Sequence, residues 1–115
     1  MSNTFIFHNP RCSKSRKTLE ILQESGVDFE VILYLQDPPS FSQLDSLLQV
    51  LEMDPRALMR VDEDEYKIND IENEHDRNKL IKAMIKDPIL IQRPIVAHNG
   101  KARIGRPPEA ILEIL

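Results

Sequence analysis

Residues 4–34 read TFIFHNPRCSKSRKTLEILQESGVDFEVILY, and this stretch decides the fold. Its beginning, Thr4–Phe7, is short, aromatic and β-branched, which predicts a buried strand. The polar and apolar spacing that follows predicts a helix over Ser13–Ser25, with Gly26 as its left-handed C-cap. Residues 29–34 repeat the strand pattern. A strand, a helix and a strand in this order predict a right-handed crossover and parallel pairing.

The middle of the chain is predicted to be helical. Ser40 and Gln43 have the spacing of a capping box, and apolar side chains then recur at helical intervals. Asp54-Pro55 predicts the start of a short helix, and apolar residues around Leu80 predict another that ends at Asp87-Pro88. We expect this helical insertion to span about residues 40–87.

In the last third of the chain, the spacing of apolar residues changes from that of a helix to that of a strand. Asn99-Gly100, between two short apolar runs, predicts a β-hairpin. Pro107-Pro108 then opens a closing helix, and we expect its inward face to carry Ile111, Leu112 and Leu115. The order predicts an α/β fold of the thioredoxin-like type, in which a mixed sheet has helices on both faces and a helical insertion. We expect residues 1–115 to form a single domain of this kind.

Composition excludes several classes of protein. The 115 residues hold 15 Lys and Arg against 19 Asp and Glu, a net charge of −4, which argues against binding to nucleic acid. Residues 31–35 are the longest apolar run, far short of the roughly 20 that a membrane-spanning helix needs. The start of the chain lacks the basic and apolar segments of a signal peptide. We therefore expect a monomeric cytoplasmic protein with no membrane partner.

The chain has a single cysteine, Cys12. One cysteine excludes an internal disulfide, an internal dithiol couple and a metal site built on several thiolates. Cys12 is then an inert core residue, a lone nucleophile, or a thiol whose partner comes from another molecule. Its polar and basic neighbours favour a functional role.

Cys12 lies at the predicted carboxyl end of the first strand and the start of the following helix. The helix start favours a thiolate, and the flanking Arg11, Lys14 and Arg16 act in the same direction, as would a protonated His8. We therefore expect the pKa of Cys12 to lie below that of a free cysteine. His8 is either a residue that tunes this thiol or simply the end of the strand.

Ser15 stands where a dithiol motif would carry its second cysteine. This Cys-x-x-Ser spacing leaves two interpretations open. Either Cys12 is a catalytic thiol that an external thiol such as glutathione resolves, or the segment is a redox-silent helix start with Ser15 as an ordinary hydroxyl.

Arg60, Arg93 and Arg106 are candidates to bind an oxyanion, because the planar guanidinium fork matches tetrahedral anions. In a thioredoxin-like fold, the loop before the second hairpin strand packs against the nucleophile, and a proline such as Pro94 is commonly cis there. That arrangement would bring Arg93 beside Cys12. Taken singly, each arginine is more readily explained as ordinary solvated surface, and the oxyanion hypothesis rests on the three together. The acidic segment 62–65 lacks the spacing of a calcium loop, and we predict no metal site.

The sequence resembles the glutaredoxin-linked arsenate reductase family along essentially its whole length. The likeness lies in an ordered set of motifs: HNPRCSKSRKTL at 8–19, Tyr34-Leu35 with Pro38-Pro39, Arg56-Ala57-Leu58 with Arg60, PILIQRPIV at 88–96, and Gly105-Arg106-Pro107. The resemblance implies a thioredoxin-like fold with an inserted helical region. It also implies that arsenate is reduced to arsenite with glutathione as co-substrate, glutaredoxin as partner and no bound cofactor.

The resemblance also implies roles for individual residues. Cys12 would be the nucleophile, and His8 would help to lower its pKa. The oxyanion and its products would be bound by Arg60, Arg93 and Arg106, and the supporting loop would contain Asn9, Ser15 and Pro94.

Two other functions compete with arsenate reduction. One is a non-catalytic interaction module like the Spx-type regulators of the same superfamily, which bind RNA polymerase and whose redox switch is a Cys-x-x-Cys. Ser15 removes that switch here. The other is a thiol oxidoreductase that acts on a different substrate, such as a glutathionylated protein.

Overall fold

A computed structural model describes residues 3–115 of the chain. Met1 and Ser2 lie outside the described residues, so the start of the segment that is expected not to be a signal peptide is not described. The chain forms two compact units: the first contains the chain up to Asp37 together with Arg93–Leu115, and the second is Pro38–Gln92. The organisation of residues 1–115 as a single domain stays a prediction. None of the helices described is both long and apolar enough to cross a bilayer.

The first unit is built on a four-stranded mixed sheet. Its strands are Thr4–Phe7 (β1), Glu30–Ile32 (β2), Ile95–His98 (β3) and Lys101–Ile104 (β4), in the order β2-β1-β3-β4. β1 pairs with β2 in parallel and with β3 in antiparallel, and β3 and β4 form an antiparallel hairpin. The predicted α/β fold with a thioredoxin-like mixed sheet is therefore confirmed.

β2 is shorter than the predicted strand over residues 29–34. The carbonyl of Leu33 accepts hydrogen bonds from the amides of Gln36 and Asp37, both at 2.9 Å. These bonds turn the chain, so that residues 33 and 34 leave the sheet although their side chains are apolar.

Helix α1, Ser13–Ser25, packs on one face of this sheet. Its Leu22 joins Ile6 of β1 and Val96 of β3 in a core cluster in which all three side chains are fully buried. Gly26 ends the helix with a φ of 77°, the left-handed conformation predicted for it. The predicted bounds of α1 are confirmed at both ends.

The closing segment is a 3-10 helix, Pro108–Ile114, and its inward face differs from the prediction. Ile111 and Ile114 are buried in the core cluster, Leu115 packs against it, and Leu112 is 55% exposed. With three residues per turn, positions 111 and 114 share one face. The prediction that Leu112 faces inward was wrong because it assumed the wider spacing of an α-helix.

The β3–β4 hairpin turns at Asn99 and Gly100, as predicted, with φ values of 50° and 82°. Both values lie in the left-handed region that a type I′ turn requires. Past the other end of β4, Gly105 lies so close to its neighbours that a Cβ there would stand 2.6 Å from Thr18 Oγ1 and 2.7 Å from Pro94 Cγ.

The second unit is helical. It contains Phe41–Leu51 (α2), Pro55–Leu58 (α3), Asp64–Ile68 (α4) and Arg77–Lys86 (α5), with 3-10 turns at Ile71–Asn73 and Pro88–Leu90. The predicted capping box is present: Ser40 Oγ accepts from the Gln43 amide at 3.1 Å, and the Ser40 amide donates to Gln43 Oε1 at 2.9 Å.

Buried contacts order the acidic segment that follows α3. Tyr66 and Ile71 are buried, and the guanidinium of Arg56 donates to the Tyr66 hydroxyl and to the carbonyls of Ile71 and Glu74. A half-buried arginine whose donors are satisfied by the surrounding chain holds this segment in place.

Gly105→Ala should destabilise the protein by about 1–3 kcal/mol, since the added methyl group has no free space beside Thr18 and Pro94. Denaturant unfolding measures the effect. Ser46→Ala, at an exposed position of α2, is the control and should change stability by less than about 0.5 kcal/mol. Equal stability of the Gly105→Ala protein and the wild type would contradict the close approach.

Candidate active site

Cys12 is held at the junction of β1 and α1 by backbone hydrogen bonds. Its amide donates to the Asn9 carbonyl at 3.0 Å, and its own carbonyl accepts from the Arg16 amide at 3.0 Å, the first bond of the helix. The Arg11 amide donates to the Asn9 side chain at 3.0 Å. Cys12 is therefore the N-cap of α1, and its side chain is half-buried rather than enclosed in a core.

Ser15 and His8 form a buried polar contact beneath this loop. Ser15 is fully buried, and its Oγ accepts from the Asn9 amide at 3.0 Å and lies 2.7 Å from His8 Nδ1. His8 is 6% exposed, and its amide extends the β1–β2 pairing by donating to Ile32 at 2.9 Å. His8 thus ends the strand and also contacts the loop that carries Cys12.

The pKa of Cys12 is lowered, as predicted, although burial of the thiol acts in the opposite direction. The backbone amide of Ser15 has the largest lowering effect, followed by the charge of Arg93, the amide of Lys14 and the charge of Arg106. Helix-start amides and two cations therefore stabilise the thiolate more than desolvation penalises it.

His8 influences the loop without carrying a charge at neutral pH. Burial lowers the pKa of its imidazole, and the positive charge of Arg16 lowers it further. A neutral imidazole does not attract the thiolate as a cation would, so the contact with Ser15 is its route to the loop. Arg16 in turn donates from Nη1 to the Pro10 carbonyl at 2.9 Å. The predicted effect of His8 on the pKa of Cys12 stays a prediction.

Arg93 and Arg106 stand at the two ends of the β3–β4 hairpin. Arg106 Nε donates to the Arg93 carbonyl at 2.8 Å, which ties the two ends together. Arg93 has two buried guanidinium nitrogens, Nε and Nη1, that meet no hydrogen-bond acceptor among residues 3–115. The Arg93–Pro94 peptide is cis, as expected for this loop, and so is Arg106–Pro107.

Arg60 lies in the second unit, just after α3. Its amide donates to the Leu90 carbonyl at 2.7 Å, and its guanidinium pairs with the Glu63 carboxylate. The two side chains are about three-quarters buried, at 25% and 24% exposure. The acidic segment 62–65 therefore supplies a partner for Arg60, whose role in oxyanion binding stays a prediction.

The cations expected to lower the pKa of Cys12 were its neighbours Arg11, Lys14 and Arg16, whereas the charges that lower it belong to Arg93 and Arg106. The effect of Arg93 agrees with its expected place beside Cys12. A usable signal was present, because both arginines precede a proline and flank the predicted hairpin symmetrically.

In the described chain, the His, Cys, Asp and Glu side chains form no group of three that could hold a metal ion.

Comparison with known proteins places this chain in a defined family. The profile of the ArsC family matches residues 7–114. The protein named "Uncharacterized protein YfgD" from Escherichia coli K12 is 54% identical, covering 96% of this chain and 94% of its own. "Arsenate reductase" from Neisseria meningitidis is 46% identical, covering 96% of each. The solved structure of "Arsenate reductase from Vibrio cholerae" superposes with a TM-score of 0.93 at 46% identity, covering 99% of this chain and 98% of the other.

The alkylation rate of Cys12 should titrate with a midpoint below the pKa of about 8.5 of a free cysteine. Arg93→Gln should raise this midpoint, because the thiolate loses a positive neighbour. The reaction with iodoacetamide, followed over pH, measures both. Lys17→Gln is the control, since the Lys17 ammonium pairs with Glu20 at 3.5 Å. A wild-type midpoint at or above the free value would contradict the activation of Cys12.

Proposed function

This chain belongs to the ArsC family, and on that premise we propose that it is an arsenate reductase, a thiol oxidoreductase that converts arsenate to arsenite. One observation carries the proposal. A half-buried thiol with a lowered pKa is influenced by the charge of an arginine whose hydrogen-bond donors are unsatisfied. Arg93 lowers the pKa of Cys12 and keeps two buried guanidinium nitrogens without a partner in the described chain. Such donors suit a tetrahedral oxyanion next to the sulfur.

The relatives support this assignment. Proteins named arsenate reductase match the chain at 46% identity over nearly the full length of both. A thiolate nucleophile and an arginine fork are the two groups that thiol-dependent reduction of an oxyanion needs. The same unit of the protein supplies both, since Cys12, Arg93 and Arg106 all belong to the first unit.

In the first step, the Cys12 thiolate attacks arsenic and a sulfur–arsenic bond forms. One arsenate oxygen leaves as water after it takes up protons. Arg93 and Arg106 offset the negative charge of the oxyanion, which would otherwise repel the thiolate. Arsenic remains in its +5 state, so this step transfers no electrons.

Reduction to arsenite needs two electrons, and a second thiol must take part because Cys12 is the single cysteine. Glutathione is that thiol in our proposal. As arsenic gains two electrons and leaves as arsenite, the sulfurs of Cys12 and glutathione become a mixed disulfide. Glutaredoxin then reduces the disulfide and returns the thiolate. The cytoplasm maintains such thiols in reduced form, so the proposed location is cytoplasmic.

The remaining predicted residues support this site in our proposal. Asn9 and Ser15 hold the Cys12 loop, and Pro94 follows Arg93 at the start of the hairpin. One copy of the chain contains all of these groups, and we propose that it acts as a monomer.

The Spx-like alternative loses support at Ser15. This side chain is fully buried and bonded to Asn9, with His8 2.7 Å away. A serine hydroxyl forms no disulfide, so the intramolecular switch of those regulators has no counterpart here.

Purified protein should form arsenite from arsenate when glutathione and glutaredoxin are supplied, and Cys12→Ser should abolish the reaction. Arsenite is quantified directly over time. Reactions without glutathione and glutaredoxin are the control and should yield no arsenite, since the protein has no second thiol. Equal rates for the wild type and Cys12→Ser would eliminate arsenate reduction through this thiol.

Arg93→Ala should raise the KM for arsenate about tenfold or more, because hydrogen bonds to charged groups contribute about 1.5–3 kcal/mol each. Arg106→Ala should have a smaller effect, since its side chain is exposed. Arg103→Ala is a matched control, because its guanidinium pairs with Glu113 at 2.7 Å. If the KM for arsenate is unchanged in both Arg93→Ala and Arg106→Ala, the oxyanion clamp does not exist.

A further inference from the structure

The beginning of the chain concentrates positive charge around Cys12. Residues 1–19 hold four of the 15 Lys and Arg residues and none of the 19 Asp and Glu residues. The four are Arg11, Lys14, Arg16 and Lys17. The remainder of the chain is strongly acidic, so an anion approaching the protein is attracted to this segment and repelled elsewhere.

Two of these four cations are already occupied. Arg16 donates to the Pro10 carbonyl at 2.9 Å, and Lys17 pairs with Glu20 at 3.5 Å. The side chains of Arg11 and Lys14 are exposed and form neither an ion pair nor a hydrogen bond with any described residue. The charges that lower the pKa of Cys12 are those of Arg93 and Arg106, and the charges of Arg11 and Lys14 are not among them. Arg11 and Lys14 are thus cations with no assigned anion.

Both residues flank Cys12 along the chain and extend from backbone that hydrogen bonds hold in place. The Arg11 amide donates to the Asn9 side chain at 3.0 Å, and the Lys14 carbonyl accepts from Thr18 Oγ1 at 2.8 Å. The backbone amide of Lys14 also acts on the Cys12 thiolate, so the segment that carries these two exposed cations borders the sulfur. A thiol that reacts with the half-buried Cys12 approaches from solvent, where the two long side chains are exposed.

We propose that Arg11 and Lys14 form the carboxylate subsite for the external thiol and select a small anionic thiol, glutathione, over neutral or cationic thiols. Glutathione carries two carboxylates and one ammonium group, so its two acids match two cations. This inference rests on the external-thiol step of the proposed function, but not on arsenate being the substrate. It assigns a different anion to each set of cations: the oxyanion to Arg93 and Arg106, and the thiol to Arg11 and Lys14.

The test uses a single disulfide exchange at Cys12 and requires no arsenate. Cys12 is first converted to a mixed disulfide by exchange with 4,4′-dithiodipyridine, which has no carboxylate and releases one equivalent of pyridine-4-thiol. The glutathione thiolate then attacks the Cys12 sulfur, so that one sulfur–sulfur bond forms as another breaks. Pyridinethiolate leaves, takes up a proton and is followed by its absorbance as the thiopyridone.

Glutathione is compared with its diethyl ester, which has the same thiol but no carboxylate. Rates are expressed per thiolate, and each is divided by the rate of the same thiol with a small-molecule pyridyl disulfide. Wild-type protein should favour glutathione over the ester. The variant with both Arg11→Gln and Lys14→Gln should lose this preference by about two- to fivefold per cation, the range of exposed ion pairs, with the ester rate unchanged.

Two further variants distinguish an effect of the two charges from an effect of substitution on the folded structure. Arg11→Lys with Lys14→Arg keeps both charges and should keep the preference. Lys17→Gln removes a neighbouring cation of α1 that is paired with Glu20 and should also keep it. Added salt should reduce the wild-type preference and leave that of the doubly neutralised variant unchanged.

Several outcomes would overturn the subsite. An unchanged preference in the doubly neutralised variant would do so, as would an equal loss of rate with both thiols, which would point to altered reactivity of Cys12. A wild-type protein that treats both thiols alike would do the same. Failure of arsenate reduction, by contrast, would appear only in the arsenite assay and would leave this preference intact.

Discussion

The buried hydroxyl of Ser15 is the contact on which the Cys12 loop depends. It accepts the Asn9 amide and lies against the His8 ring, so it joins the end of β1 to the first turn of α1. A buried polar group without partners is costly, and these partners leave the loop a single arrangement that satisfies them. That arrangement holds Cys12 at the helix start, where the amides of Lys14 and Ser15 stabilise a thiolate. The serine that replaces a second cysteine is therefore a structural part of the site.

The site divides its positive charges by function. Arg93 and Arg106 are coupled through the Arg93 carbonyl and act on the sulfur, whereas Arg11 and Lys14 flank Cys12 along the chain and are exposed to solvent. An acidic protein that handles anionic substrates needs such local concentrations of charge, because its overall field opposes their approach. The proposed reaction brings two anions to one sulfur in succession, and separate cations prevent them from competing.

Local patterns predicted the parts of the fold that depend on neighbouring residues. β1 and α1 have their predicted bounds, and the capping box at Ser40 and the Asn99-Gly100 turn are present. Contacts between distant residues were harder to predict. Arg56 orders the acidic segment through carbonyls that composition does not reveal. The cations that act on Cys12 likewise come from far along the chain. The predicted fold brought Arg93 beside Cys12, whereas no local pattern indicated that Arg106 would lower the pKa of the thiol.

The position of Arg93 and Arg106 after the helical unit has a consequence for synthesis. A nascent chain that ends before residue 93 already contains Cys12 but lacks both cations that lower its pKa. In such a chain the thiol retains more of its proton and reacts more slowly with oxidants, since the thiolate is the reactive form. The order of residues along the polypeptide therefore delays activation of the cysteine until the hairpin has been made. The protein's single thiol is least reactive during the period in which it is least protected.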